Sequence, residues 1–401
     1  MAEAVYPQPD EIEAQLREAA GGSGGCAEIK AIGKSIEGRD ILSARVTDPS
    51  VPDDDKQHAL IIAGQHGGEE SGRLGALAVV KWLCSDDPGA AETRRKQLVV
   101  IVPCLNPDGT VRDVRGNAND VNLNRQYDPE AESRELEAEH VMGLAEELMP
   151  DMLADMHGLT SGGHDDLILI GGHKTYTEDV RLHHEIARDM VAGAEEAGYP
   201  MCAHPVDWSG WELQKPDCLI GYAYWRFHPI VFLTEGDEAT LDAERMAGAG
   251  FERMKPLILT GNRRHQWFRY EGYPNGMIGG VVRSSIRAAG ATAAERRRNR
   301  AEVWPEIRRF PKAGPKRGAG PVKEFEIEFD EGKSLETGFA LARRLSAGAK
   351  PVSAAFDGRE IPAGEGVPGY VTWSDRCSTF VQLSVERLEA GKHSAEIILA
   401  D

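Results

Sequence analysis

The sequence predicts an α/β protein: a mixed, largely parallel twisted sheet with helices on both faces, followed by a small carboxyl-terminal β-rich domain. Three observations carry this expectation. The apolar runs 59–63, 98–102 and 229–234 lack polar alternation, as strands buried on both faces do. Amphipathic stretches of helical length separate them, and strand–helix–strand order imposes right-handed crossovers. Beyond residue 290 the pattern becomes short strand-like segments divided by Gly- and Asp-rich turns.

Taken in order, residues 11–20 read as an amphipathic helix and 21–25 as a glycine-rich break. Residues 27–48 alternate on either side of 35–39, which predicts a hairpin turning near Glu37 and Gly38. The strand at 59–63 leads to a helix at 72–85, and the strand at 98–102 ends at Cys104 and Asn106. Helices are expected at 129–149, 177–197 and 238–259, and strands at 152–156, 166–170 and 229–234. After the α/β part, KEFEIEF, PVSAAFDG, YVTW, TFVQLSVERL and SAEIIL read as strands, with a helical piece around 335–345.

At 401 residues the chain exceeds the size at which one core stops growing, so more than one domain is expected. The boundaries read as a catalytic α/β domain over 1–290, a basic Pro/Gly-rich linker over 291–320 and a β-sandwich-like domain over 321–401. The linker carries nine Lys or Arg against three Asp or Glu, in a chain whose formal charge is −19. That acidic balance disfavours a nucleic-acid or anionic-membrane partner. The first twenty residues lack a basic region followed by an apolar core, and no run reaches the roughly 18 apolar residues of a membrane span, so a cytoplasmic location is expected. Six scattered cysteines without a CxxC pair read as free thiols. The oligomeric state has no signature in the sequence.

The chemistry gathers where strands end. The stretch HALIIAGQHGGEES carries an apolar strand into a glycine-flanked turn with His66 and Glu69, at the edge where open α/β sheets place ligands. An imidazole and a carboxylate three residues apart can reach one cation together. A zinc hydrolase needs a third protein ligand and one open position for water. His157, in MLADMHG, stands at the end of another short strand, and the period of two puts Asp155 on the same face, able to orient a ligand or a water. His164 and His173 are rivals without a strand to place them. The stretch NPDGTVRDVRGNANDVNLNR, residues 106–125, is too polar for a core. Its arginines offer planar forks for carboxylate or oxyanion, and its asparagines can donate and accept beside them. Glu235 closes the apolar run IVFLTE.

HxxE, then NPDG, then R-x-N-x-N-x-V-x-L-N-R, then a strand-borne His, then Thr-Glu, resembles the M14 family of zinc carboxypeptidases, in the family's order; GKSIEGRDI resembles its amino-terminal signature. The resemblance implies a zinc carboxypeptidase-like fold and one Zn2+ ion held by His66, Glu69 and His157. It further implies Arg115 polarising the scissile carbonyl, Asn124 and Arg125 gripping a terminal carboxylate, and Glu235 as general base. The implied substrate is a peptide or an N-acyl amino acid with a free carboxylate. This chain departs from the family at Asn122, where an Asp commonly supports the first histidine; a neutral amide there predicts a less basic ligand and weaker zinc binding. The family's mobile tyrosine has three competing positions, Tyr199, Tyr222 and Tyr224, and Val206 is a candidate for the side-chain pocket. Three readings follow: a metallocarboxypeptidase, an M14-type deacylase or amidohydrolase with the same centre, and a noncatalytic peptide-binding module.

Overall fold

Four parallel strands form the middle of the computed structural model, and their carboxyl ends share one edge. The structure describes residues 6–53, 56–159, 167–170, 180–199, 217–227, 229–263, 322–327, 339–346, 348–364, 368–374, 378–385 and 391–400. The chain opens with α1 (Pro9–Gly22) and the hairpin β1 (Ala27–Lys34) and β2 (Asp40–Val46), whose turn lies at 35–39 as expected. Then come β3 (Gln57–Ala63), α2 (Glu70–Leu83), α3 (Pro88–Lys96), β4 (Gln97–Val102) and the short α4 (Pro107–Arg112). They are followed by α5 (Leu136–Leu148), β5 (Met152–Leu159), β6 (Leu167–Ile170), α6 (Val180–Glu196), α7 (Leu219–Phe227), β7 (Ile230–Asp237) and α8 (Ala243–Arg263).

The seven strands run in the order β1-β2-β4-β3-β5-β7-β6. β4, β3, β5 and β7 are mutually parallel, while β2 joins β4 and β6 joins β7 antiparallel. The strand period divides the core in two. Ala59, Ile61 and Ala63 face one cluster, with residues of α1, α2, α6 and α8. Leu60 and Ile62 face the other, with Tyr127 and residues of α5 and α7. Burial on both faces explains the unbroken apolar runs.

Where the observed elements differ from the expected ones, a local cause is visible. α8 starts at Ala243 rather than 238 because the Asp237 carboxylate accepts from the amides of Ala239 and Thr240, closing a turn first. Glu235 therefore does not cap that helix. Residues 339–346, expected within a helical piece, form a strand, β9 (Phe339–Ser346), paired antiparallel along its whole length with β13 (Ser378–Val385). Its Leu, Ala and Arg are good helix formers, and sheet pairing overrides that preference. Three helices, α3, the short α4 within the polar stretch 106–125, and α7, answer to no expectation. The remaining carboxyl-terminal strands are β8 (Val322–Ile327), β10 (Pro351–Phe356), β11 (Arg359–Ile361), β12 (Gly369–Ser374) and β14 (Gly391–Leu399). They make antiparallel sheets of four strands, β11-β10-β14-β8, and three, β12-β13-β9. The expected linker at 291–320 lies outside the described residues. Among those described, Cys26, Cys84, Cys104 and Cys218 are not joined in disulfides, and no helix is long and apolar enough to cross a membrane.

Candidate functional site

β3 leaves the sheet at residue 63 and turns directly into α2, so the turn at 66–69 is anchored at both ends. Arg73, almost fully buried one turn into α2, donates to the carbonyls of Gly67 (2.6 Å) and Glu69 (3.2 Å) and to the Glu70 carboxylate (2.8 Å). Gly67 is required by contact: a Cβ there would meet the backbone of Gly109 at 2.0 Å. The turn thus lies flat against α4.

α4 and the loop after it are fastened by their own polar residues. Asn106 caps α4 by accepting from the Gly109 amide (2.9 Å) and donates to the carbonyls of Gly116 and Gln65. Asp108, with no exposed surface, accepts from the Ser35 hydroxyl (2.7 Å), the Glu37 amide (3.0 Å) and Arg39 (2.6 Å), binding the amino-terminal hairpin turn to the NPDG segment. Asn117 holds the amides of Asn119 and Val121 and donates to Glu135 and Glu137. These bonds carry the chain to a 3-10 turn at Leu123–Arg125, with Asn122 facing His66.

Three buried groups meet there. His66, Glu69 and His157 place one ligand atom each within 4.8 Å of one another. The Nδ1 atoms of His66 and His157 lie 3.2 Å apart, and Glu69 reaches both, Oε1 at 2.6 Å from His66 and Oε2 at 2.8 Å from His157. Donors sharing one tetrahedral zinc ion at ordinary bond lengths stand about 3.3 Å apart, so this spacing suits a single ion. The outer nitrogens are engaged elsewhere: His66 Nε2 at 2.9 Å from Asn122 Oδ1, and His157 Nε2 at 2.9 Å from Asp155 Oδ2. Both Nδ1 atoms are left facing the common point, and two imidazoles with a carboxylate form a suitable donor set for a divalent transition metal.

The electrostatics agree. Burial alone would lower the His157 pKa, but the Asp155 and Glu69 carboxylates outweigh it and hold it well above the ordinary value. Burial likewise pushes Glu69 up, and His157 and His66 reverse this, keeping its carboxyl well below the usual range. The pocket favours positive charge at its centre.

The other expected residues cluster around this point. Arg115, largely exposed, donates to Glu69 Oε1 at 2.8 Å. Glu235 stands on β7 directly beside His157 of β5, in register. Burial raises its carboxyl to about 8, with Glu69 and Asp155 adding to the rise and His157 and Arg115 opposing it. Its Oε2 has no hydrogen-bond partner among the described residues. A carboxyl with a free acceptor and a pKa near neutrality can take and return a proton. Asn124 is 4% exposed and braced inward, its Oδ1 accepting from the Leu219 amide (3.0 Å) and its Nδ2 3.3 Å from His157 Nε2. Arg125 donates to the Asn124 carbonyl at 2.5 Å.

Sequence reasoning passed over Gln65, Tyr127 and Glu238. Gln65 donates to Asp155 Oδ2 (2.7 Å) and accepts from the buried Tyr127 hydroxyl (2.8 Å). Glu238 accepts from the Ser71 amide at 2.7 Å, capping α2 from a distant segment. Only Gln65, next to His66, carried a positional hint. Of the competing tyrosines, Tyr222 is buried with its hydroxyl at Glu146, and Tyr199 packs with the core near Gly248 of α8. The side chain of Tyr224, and residues Val206, His164 and His173, lie outside what is described.

Known proteins are similar to parts of this chain. The zinc carboxypeptidase (peptidase M14) family model matches residues 12–161. Mouse carboxypeptidase D is 28% identical over 167 residues, which cover 37% of this chain and 12% of that protein. Murein peptide amidase A of Escherichia coli K12 is 36% identical over 90 residues, 22% of this chain and 34% of the amidase. The matched stretches therefore span between about a tenth and a third of these two relatives. Among solved structures, a metallo-carboxypeptidase from Burkholderia cenocepacia superposes with a TM-score of 0.53 at 22% identity, covering 64% of this chain and 70% of that one. Carboxypeptidase A from Helicoverpa armigera gives 0.54 at 18% identity, covering 65% and 73%. These two share the fold of the α/β part. Residues 12–161, which carry His66, Glu69 and His157, thus resemble the zinc carboxypeptidase (peptidase M14) family, and the solved folds are of the same kind.

Proposed function

We propose that this chain is a zinc-dependent hydrolase that releases carboxyl-terminal amino acids from peptides. The observation that carries the reading is the convergence of His66, Glu69 and His157 on one point, with Glu235 beside His157 on the neighbouring strand. In this reading those three residues hold one zinc ion, which when bound would lower the pKa of a water and polarise the scissile carbonyl. Glu235, with its raised pKa and unengaged Oε2, takes the water's proton and delivers it to the leaving amine. Arg115, largely exposed beside Glu69, donates to the developing oxyanion, a single-donor contribution of about 3–4 kcal/mol. Arg125 binds the substrate's terminal carboxylate, with Asn124 beside it. Residues 321–401 form a separate β-sandwich-like domain in this reading.

A second reading keeps the centre and changes the substrate: an amidase or deacylase acting on modified peptides or N-acyl amino acids. Two observations favour it, the similarity to murein peptide amidase A and the inward bracing of Asn124, which leaves the carboxylate grip mainly to Arg125. Short peptides with free and amidated carboxyl termini, assayed beside N-acyl amino acids, separate the two. The exopeptidase reading expects free-carboxylate peptides to be cleaved and amidated ones spared; equal cleavage of both removes it.

A further inference from the structure

The two imidazoles at the centre are held from behind by unlike groups. His66 Nε2 meets the neutral amide oxygen of Asn122, which also accepts from the Asn124 amide and sits on a partly exposed loop. His157 Nε2 meets Asp155 Oδ2, on a carboxylate with no exposed surface. Asp155 lies in the middle of the sheet, paired with Ile62 of β3, and so cannot shift as a loop residue can. Its Oδ2 also accepts from Gln65, which in turn accepts from the hydroxyl of the fully buried Tyr127. Its Oδ1 finds no donor among the described residues. A buried carboxylate left half-unpaired is costly to the fold, and such groups persist where a site needs their charge.

We propose that Asp155, locked by Gln65 and Tyr127, is the positioning residue that supplies the negative charge behind the metal-binding imidazoles, with Asn122 only steering the other ring. The inference rests on the reading of His66, Glu69 and His157 as metal ligands. A carboxylate behind a ligand imidazole fixes its tautomer and raises its donor strength, and losing such a group costs about 10–100-fold in metal affinity. The electrostatic support thus sits behind the second imidazole, on a strand, rather than behind the first, on a loop.

Competition with a chromogenic chelator, using the full chain and Zn2+ alone, tests this without any substrate. Asp155→Asn is expected to weaken zinc binding about 10–100-fold and Asn122→Ala only a few-fold. The double variant Asn122→Asp with Asp155→Asn, which moves the charge behind the other ring, should regain much of the loss. A packing role for Asp155 would not be rescued from that side. Should Asp155→Asn fail to fold, Tyr127→Phe, which removes one hydroxyl, should still lower zinc affinity measurably. The proposal is overturned if Asp155→Asn binds within about twofold of wild type, if Asn122→Ala costs as much, if the double variant regains nothing, or, where Asp155→Asn does not fold, if Tyr127→Phe binds like wild type. Wild-type protein that binds no zinc would remove the ligand reading itself, a result distinct from a bound wild type with an indifferent Asp155→Asn.

Discussion

Gly72 fixes how closely α2 descends on β5, and replacing it by alanine should be felt at the proposed metal site. An added Cβ would stand 2.3 Å from the Met156 carbonyl oxygen and 2.9 Å from its carbon, against about 3.4 Å for ordinary contact. Both atoms are backbone of a central strand, so the helix start must lift by roughly 1 Å. Overpacking of this kind costs about 1–3 kcal/mol, and alanine's better helix propensity returns about 1, leaving a net loss of about 0–2 kcal/mol. The effect on the metal should be larger in proportion. Glu69 opens α2 and His157 follows Met156, and their 2.8 Å contact is the one that stretches. Coordination distances tolerate only about 0.2 Å, so a zinc affinity loss of at least about 10-fold is expected. The assay pairs chelator competition with thermal unfolding in chelator, and Gly143→Ala in α5 is the control. A Cβ at Gly143 meets nothing within 4 Å, so that variant should gain stability and keep its zinc. Equal zinc affinity in Gly72→Ala and wild type would refute the reasoning.

Other consequences can be checked with simple variants. Glu235→Gln should lower turnover about 10²–10⁴-fold with zinc affinity little changed, read by steady-state kinetics beside metal titration. Burial raises the Glu238 carboxyl from 4.5 to about 7, so the folded chain keeps a proton that the unfolded chain gives up. The metal-free protein should therefore hold this contribution in full below pH 4.5 and lose up to about 3 kcal/mol as pH rises through 7; Glu238→Gln should flatten that fall in denaturant titrations at pH 5 and 8. Asp108→Ala strands three donors and should cost about 2–4 kcal/mol, with faster hydrogen exchange at the Glu37 amide.

Much of the fold was legible because its central strands are enclosed on both faces. Residues 59–63 and 98–102 could be little else than buried strands, and the site residues sit where such strands end. The strand at 339–346 was misread because LARRL carries no strand signature of its own; pairing with β13 decides it. α3 is charged and superficial, held by its Asp87 cap, and α7 is rich in aromatics, so neither offered a clean helical period. At the site, residue types and order announced the centre, and the period of two put Asp155 on the face of His157. The chain from Asp155 through Gln65 to Tyr127 was invisible, because its members lie 90 and 62 positions apart and no local pattern links them.

The cap that Glu238 places on Ser71 spans 167 residues and has a consequence for biosynthesis. A ribosome that has emitted the chain only to residue 230 has already released both imidazoles and Glu69, yet neither the β7 strand that lies beside His157 nor the carboxylate that seats the start of α2. If His66, Glu69 and His157 hold a cation as proposed, loading is expected to trail translation of β7, so that truncated products emerge unable to retain it and the completed chain closes this site last.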